Sequence, residues 1–298
     1  MKAEAADSAW VRAMPLVFVL IWSTGFIVAK YGLPHAPPLG FLAWRYVFSI
    51  ACFLLWIVLS GARWPSDPQQ WWHLAVTGVL MHAGYLGGVW FAVEHGMGSG
   101  LAALIVGLQP VLTAVWVSRM EGGQVSRLQW LGLLLGLMGL VLVIWRKLQA
   151  GIEVSGLTLS ATVFALLAIT AGTLYQKRYL RATDVRTANA IQLGAALIVT
   201  LPLTFLETEA IVWNVHFIGA MAWAVLGLTL GGSSLLYLLI QRGAATTVTS
   251  LFYLVPPTTA LMAWLLFDEL ITATTLLGTA MTALGVALVV RQPRPAAA

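Results

Sequence analysis

Apolar residues in this chain come in continuous runs of about 20, separated by short polar breaks. The runs cover residues 11–30, 38–60, 71–92, 98–118, 127–145, 156–176, 187–206, 215–239, 244–266 and 272–290. Each is long enough to cross the hydrocarbon core of a bilayer as a helix. A membrane β-barrel would need short alternating strands instead, and a segment in lipid must satisfy its own backbone hydrogen bonds. The breaks carry turn residues, as in Gly32-Leu33-Pro34, Gly61-Ala62-Arg63-Trp64-Pro65 and Glu121-Gly122-Gly123. Tryptophans cluster at run ends, at Trp71, Trp72 and Trp130, where interfacial rings prefer to sit. The pattern predicts an all-α integral membrane protein of ten transmembrane helices, with no loop large enough for a soluble domain.

The runs repeat. Sliding the chain by 146 positions lays Gly98 to Ile144 on Ala244 to Val290 without a gap. Pro110 then lies under Pro256, Thr113 under Thr259, Gly132 under Gly278 and Gly139 under Gly285. At an offset of 147 a fainter match brings Gly25 to Gly172, Lys30 to Lys177, Arg45 to Gln192 and Trp90 to Tyr237. A period of about 147 in 298 residues means two copies of one unit. Five spans per copy is odd, so the second copy crosses the membrane in the opposite sense. That is the inverted repeat from which many secondary transporters are built.

Composition and charge sharpen this reading. Charged residues make up 9%, hydrophobic residues 60%, and the mean hydropathy is +0.88; soluble domains carry roughly 25% charge. The net charge of +5 would suit nucleic acid, but the charges are scattered over short loops. Twelve of the sixteen Lys and Arg fall on the side of both termini, against Lys30, Arg146 and Lys147 on the other, with Arg45 inside a span. By the positive-inside tendency both termini are cytoplasmic. The first run lacks a small-residue cleavage site and is expected to be a retained helix. The single cysteine, Cys52, leaves no disulfide framework. No cofactor motif is present, and a bacterial inner membrane is the default location.

The residues just named carry a family resemblance. The first span holds Trp22-Ser23-Thr24-Gly25-Phe26, with Lys30 at its end, and the second holds Arg45. Pro110 is followed by the Gly132 to Gly139 helix; Pro256 is followed thirteen residues later by Glu269, then Gly278 and Gly285. In the first copy the acid, Glu121, comes eleven residues after Pro110. With these motifs the chain resembles the drug/metabolite transporter superfamily, specifically its ten-helix members with two EamA repeats. The resemblance implies one repeat over residues 11–146 and a second over 156–291. It also implies ATP-independent export or exchange of small metabolites, often amino acids.

Candidate chemistry sits in few places. Proline inside a helix removes a hydrogen bond, and the freed carbonyl must be satisfied or face a wet cavity. Pro110 and the Pro256-Pro257 pair therefore predict a kinked helix in each repeat, the kinks meeting near the midplane; a mere packing kink is the alternative. Arg45 is an intramembrane charge and so a functional candidate. It could hold a substrate carboxylate, but a structural or gating pair with Glu94, at the end of the third span, is favoured. His82 and Tyr85 share a helix face. For His82 a hydrogen-bonded helix contact is favoured over proton coupling. Trp90 is placed at an upper vestibule. The remaining cavity candidates are Trp22, Thr24, Gln109, Tyr175, Ser233, Tyr237, Ser250 and Tyr253, although Ser and Thr in membrane helices more often bond helix to helix. Gly84-x3-Gly88 and Gly132-x3-Gly136 read as close helix packing, with a weak homodimer as the alternative to a monomer.

No Asp or Glu lies at mid-span. That argues for a facilitator or exchanger, at most weakly proton-coupled. The expected mechanism is alternating access, with the repeats rocking about a cavity lined by spans one, three, four, six, eight and nine. The cargo is a small metabolite such as an amino acid, with an amphipathic drug-like compound or nucleobase as the alternative. An intramembrane enzyme is a remote alternative: Gly231-Gly232-Ser233 lacks the rest of a nucleophile motif, and no Walker lysine or HExxH is present. A structural or receptor role would call for an extramembrane domain.

Overall fold

The computed structural model describes residues 2–120, 127–149, 154–241, 254–269 and 271–290. In chain order the helices are α1 (Lys2–Gly32), α2 (Pro38–Ser60), α3 (Pro68–Gly78), α4 (Tyr85–Glu94), α5 (Ser99–Val106), α6 (Gln109–Met120) and α7 (Arg127–Gln149). There follow α8 (Gly156–Tyr179), α9 (Val185–Leu203), α10 (Val215–Ala222), α11 (Ser234–Gln241), α12 (Val255–Phe267) and α13 (Ala273–Val290). No strand occurs among the described residues. Six stretches are long and apolar enough to cross a membrane: Ala13–His35, Pro38–Ser60, Pro68–Glu94, Gly156–Tyr179, Val185–Leu206 and Val215–Tyr237. Shorter apolar helices cover Ser99–Thr113, Trp130–Trp145 and Val255–Phe267. The chain is an all-α integral membrane protein. Large apolar side chains face outward along the bundle, with Val58 and Leu59 each 77% exposed. Water would penalise that surface and lipid does not.

Local chemistry sets the helix ends. Pro38 opens α2, where its missing N–H costs nothing, and Gly61 closes it in the left-handed conformation with φ of 63°. A capping box starts α8: Ser155 Oγ accepts from the Thr158 amide and Thr158 Oγ1 accepts from the Ser155 amide. Asp184 caps α9 by accepting from the Arg186 amide.

Two spans contain π-helical turns, Val79–Gly84 between α3 and α4 and Trp223–Ser233 between α10 and α11. Shifting the first by the 147-residue offset places it inside the second. The wide turns are thus a shared feature of the two copies, and π turns are frequent where a helix serves a site.

The fourth span departs from a single kinked helix. It stops at Val106 and restarts at Gln109, so Pro110 stands in the first turn of α6. Pro256 and Pro257 likewise stand at the start of α12. A proline lacks the amide that a first turn leaves unbonded anyway, so the chain resolves the strain by beginning a helix there. The two proline sites do come together: a Cβ on Gly107 would lie 2.7 Å from Pro256 Cγ.

Helix packing follows the repeat. The second and seventh spans meet as α2 on α9, the fourth and ninth as α5 on α12, and the fifth and tenth as α7 on α13. The third span packs on the sixth through α4 and α8, and the first packs on the eighth through α1 and the Trp223–Ser233 turn. Such pairing is what a pseudo-twofold axis between the copies requires. The α7–α13 contact is backbone-close: a Cβ on Gly278 would come within 2.6 Å of the Gly139 carbonyl, and Thr282 Oγ1 donates to the Gly136 carbonyl at 3.3 Å. Gly84 and Gly88 face α8 at Ala168 and Ala165. Both glycine runs are therefore used within the chain.

Candidate functional site

A cavity lies between the two copies. From the first copy it is lined by Trp22, Gly25 and Phe26 of α1, Arg45 of α2, Met81 and His82 of the π turn, and Tyr85, Leu86, Val89 and Trp90 of α4. From the second copy come Gln176 of α8, Asn189 and Gln192 of α9, Leu228 and Ser233 of the second π turn, and Leu236 and Tyr237 of α11. The lining is aromatic and apolar with a few convergent polar groups, the usual make-up of a ligand site. Among the described residues no carboxylate lines it.

The polar groups are held in place. Tyr46 OH donates to the His82 carbonyl at 2.8 Å, and the His82 side chain is hydrogen-bonded to Gln192. A side-chain hydrogen bond joins Trp22 to Tyr85. Trp90 is 1% exposed and packs on Phe41 with ring centroids 4.4 Å apart. Tyr237 OH donates to the Thr183 carbonyl at 3.0 Å.

Arg45 is 5% exposed, and its Nε donates to Thr229 Oγ1 at 3.0 Å. The Arg45–Glu94 pair expected from the sequence is not formed. Arg45 turns across the bundle to the second π turn, whereas Glu94 sits at the helix end, 3.7 Å from His95 Nδ1. The wide turn carries the Thr229 hydroxyl, itself donating to the Ala224 carbonyl, to the place where the guanidinium can reach it.

Of the other sequence candidates, Trp22, His82, Tyr85, Trp90, Ser233 and Tyr237 come together in the cavity. Three do not line it. Thr24 accepts from Trp223 Nε1 at 2.8 Å, Gln109 Nε2 donates to Thr173 Oγ1 at 2.9 Å, and the Tyr175 hydroxyl lies 2.8 Å from His73 Nδ1. All three join helix to helix. Ser250 and Tyr253 lie outside the described residues. The fourth and ninth spans supply no lining residue among those described, because α5 and α12 are spent packing on each other; the second and seventh spans take their place through Arg45, Asn189 and Gln192. Asn189 and Gln192 were missed in the sequence. The match of Arg45 to Gln192 at the repeat offset was the available signal.

Hydrogen bonds join the copies at both ends of the cavity. Where α1 finishes, Lys30 Nζ donates to Glu269 Oε1 at 2.8 Å; that oxygen also accepts from Ser99 Oγ at 2.8 Å and the Ser99 amide at 3.1 Å. Burial pushes the Glu269 carboxyl up, but the hydrogen bonds from Lys30 and Ser99 and the lysine charge outweigh it and hold it below the ordinary carboxylate value. At the opposite end Gln70 Nε2 donates to the Tyr179 carbonyl at 3.4 Å, and the Arg181 amide donates to Gln70 Oε1 at 3.1 Å.

Comparison with known proteins agrees with this architecture. The EamA-like transporter family matches residues 10–145 and again residues 156–291. The chain is 25% identical over 248 residues to the "Uncharacterized inner membrane transporter YedA" of Escherichia coli, covering 82% of this chain and 78% of that protein. It is 27% identical over 190 residues to a "Probable amino-acid metabolite efflux pump" of Salmonella typhimurium, covering 63% of this chain and 60% of the pump. A solved crystal structure superposes with a TM-score of 0.69 at 16% identity, over 93% of this chain and 95% of its own, a likeness of fold. Two repeats, their shared cavity and these matches lead to one conclusion: the chain belongs to the EamA-like transporter family.

Proposed function

We propose that this transporter moves a small metabolite, of amino-acid size, through the cavity by alternating access and without ATP. The observation that carries the reading is the cavity itself. It is lined by both repeats, with aromatic walls and a few convergent polar groups, and is flanked by inter-repeat hydrogen bonds. Opening towards one side means breaking the Lys30–Glu269–Ser99 set; opening towards the other means breaking the Gln70 set. The two copies rock about the pseudo-twofold axis, the ten spans crossing with both termini in the cytoplasm of a bacterial cell. The relative named "Probable amino-acid metabolite efflux pump" favours this class of cargo and the outward direction.

The test is a reversible lock. A Cβ on Gly100 would lie 3.5 Å from Ala260 Cβ, a separation a disulfide accepts. Gly100→Cys with Ala260→Cys, in a Cys52→Ser background, is expected to stop flux into sealed proteoliposomes when oxidised and to restore it on reduction. Full flux with the cross-link formed would rule out relative motion of α5 and α12, and with it the rocking mechanism.

A further inference from the structure

The cavity contains a permanent charge, Arg45, that no acid among the described residues neutralises. Arg45 is nine-tenths buried, and among the described residues its one hydrogen-bond partner is the neutral Thr229, engaged through Nε. The ion pairs of the described residues, Lys30–Glu269, His95–Glu94, Arg181–Asp67 and Arg186–Asp184, leave it out. The Nη edge of the guanidinium, with four N–H donors, therefore has no protein acceptor within the described residues and borders the cavity. An unpaired charge buried at membrane depth is costly, and it persists where a ligand or pathway uses it.

The fixing of Nε matters. Thr229 restrains the guanidinium plane, so the Nη edge is presented as a fork of set direction. A planar fork matches a carboxylate bidentately. The surroundings select further. No Asp or Glu among the described residues lines the cavity, so none of them pairs with an ammonium in kind. Trp22, Phe26, Tyr85 and Trp90 offer an apolar, aromatic body site beside the fork. The neutral amides of Asn189 and Gln192 can hydrogen-bond oxygen or nitrogen without adding charge.

We infer that Arg45 is the recognition point for a carboxylate on the transported molecule, and that the preferred cargo is a net-anionic carboxylate on an apolar or aromatic body rather than an amine. This rests on the transporter reading above. A deaminated or N-acylated amino acid has the required chemistry: one carboxylate for the fork, an apolar side chain for the aromatic wall, and no cation in need of a partner.

The experiment uses matched pairs of probes on the purified full chain. Each pair shares one body and differs only in its head: 3-phenylpropionate against phenethylamine, and the corresponding indolyl and branched aliphatic pairs. Binding is read by quenching of the cavity tryptophans, and flux by uptake into sealed proteoliposomes. For the best-bound body the carboxylate is expected to bind about tenfold or more tightly than the amine, the scale of a charge-assisted hydrogen bond. Arg45→Gln should erase that preference and Arg45→Lys should keep part of it. Amines that bind as well as carboxylates, or a preference that survives in Arg45→Gln, would overturn the inference while flux in vesicles kept the transporter reading intact. Neither binding nor flux for any pair would overturn both. The wild-type comparison decides the matter even if Arg45→Gln does not fold.

Discussion

Lys30 and Glu269 stand 239 positions apart in the chain, and the lysine ammonium donates to the carboxylate at 2.8 Å. The bond ties the end of α1, in the first copy, to the loop after α12, in the second. Ser99 at the start of α5 completes the grip. Because the folded carboxyl is held below its ordinary value of 4.5, it contributes stability above that value and loses it as the pH falls through the lower, folded value. Glu269→Gln should therefore lower the melting temperature most near neutral pH, and the gap to wild type should close on acidification. Thermal unfolding in detergent from about pH 8 down to about pH 3 checks this. A gap that stays constant with pH would mean the carboxylate charge adds nothing.

Thr229 holds Arg45 and is not among the residues lining the cavity, so any effect on the proposed cargo runs through the guanidinium. Removing its hydroxyl in Thr229→Val leaves Nε without its acceptor, and the fork loses its set direction. The expected result is about a tenfold fall in affinity for carboxylate probes, of the order of one hydrogen bond to a charged group, with amine affinity unchanged. Thr229→Ser keeps an acceptor at that place and should restore most of the carboxylate affinity. An equal loss for both probe classes would point to a collapsed cavity and not to a misdirected guanidinium.

The legibility of this molecule in its sequence divides cleanly by physics. The spans, the two copies and the six candidates from Trp22 to Tyr237 that reach the cavity follow from hydropathy and period, which act along one chain. Arg45 was legible as a charge in a span, but its partner was not. Helix spacing alone placed Glu94 on the same side, and nothing in a linear pattern reports the π turn that brings Thr229 across. Thr24, Gln109 and Tyr175 look like cavity polar groups in sequence because a hydroxyl or amide that bonds a neighbouring helix has the same composition as one that faces a cavity. The prolines suggest kinks in sequence, whereas Pro110 stands in the first turn of α6, after α5 has stopped at Val106, and Pro256 and Pro257 stand in the first turn of α12.

The α7–α13 seam relies on missing side chains. Gly285 lies against the Gly132 carbonyl and the Gly136 backbone, and Gly278 against Gly139. Backbone on the opposing helix cannot step aside as a flexible side chain can. Gly285→Ala should cost about 1–3 kcal/mol, the usual range for overpacking a close-fitted contact, and Gly285→Leu should prevent assembly of the fifth and tenth spans. Unfolding measurements and monodispersity on a sizing column read the two outcomes. Unchanged stability in Gly285→Ala would show that the helices can separate at no cost.

If the cargo is a monoanion and no carboxylate in the cavity ferries a proton with it, each transport event moves one negative charge. The flux must then respond to membrane potential. One charge crossing 100 mV is worth about 2.3 kcal/mol, or about a fiftyfold concentration ratio at equilibrium. In proteoliposomes a potassium diffusion potential, positive inside, should therefore accumulate the carboxylate probe, and the opposite potential should exclude it. A pH gradient alone should drive neither. In a bacterial cell, where the interior is negative, the same physics expels the anion, so efflux needs neither ATP nor a proton. Accumulation that follows the pH gradient and ignores the potential would mean that a proton travels with the cargo. His82, the one histidine among the described residues of the cavity, would then be the group to test as its carrier.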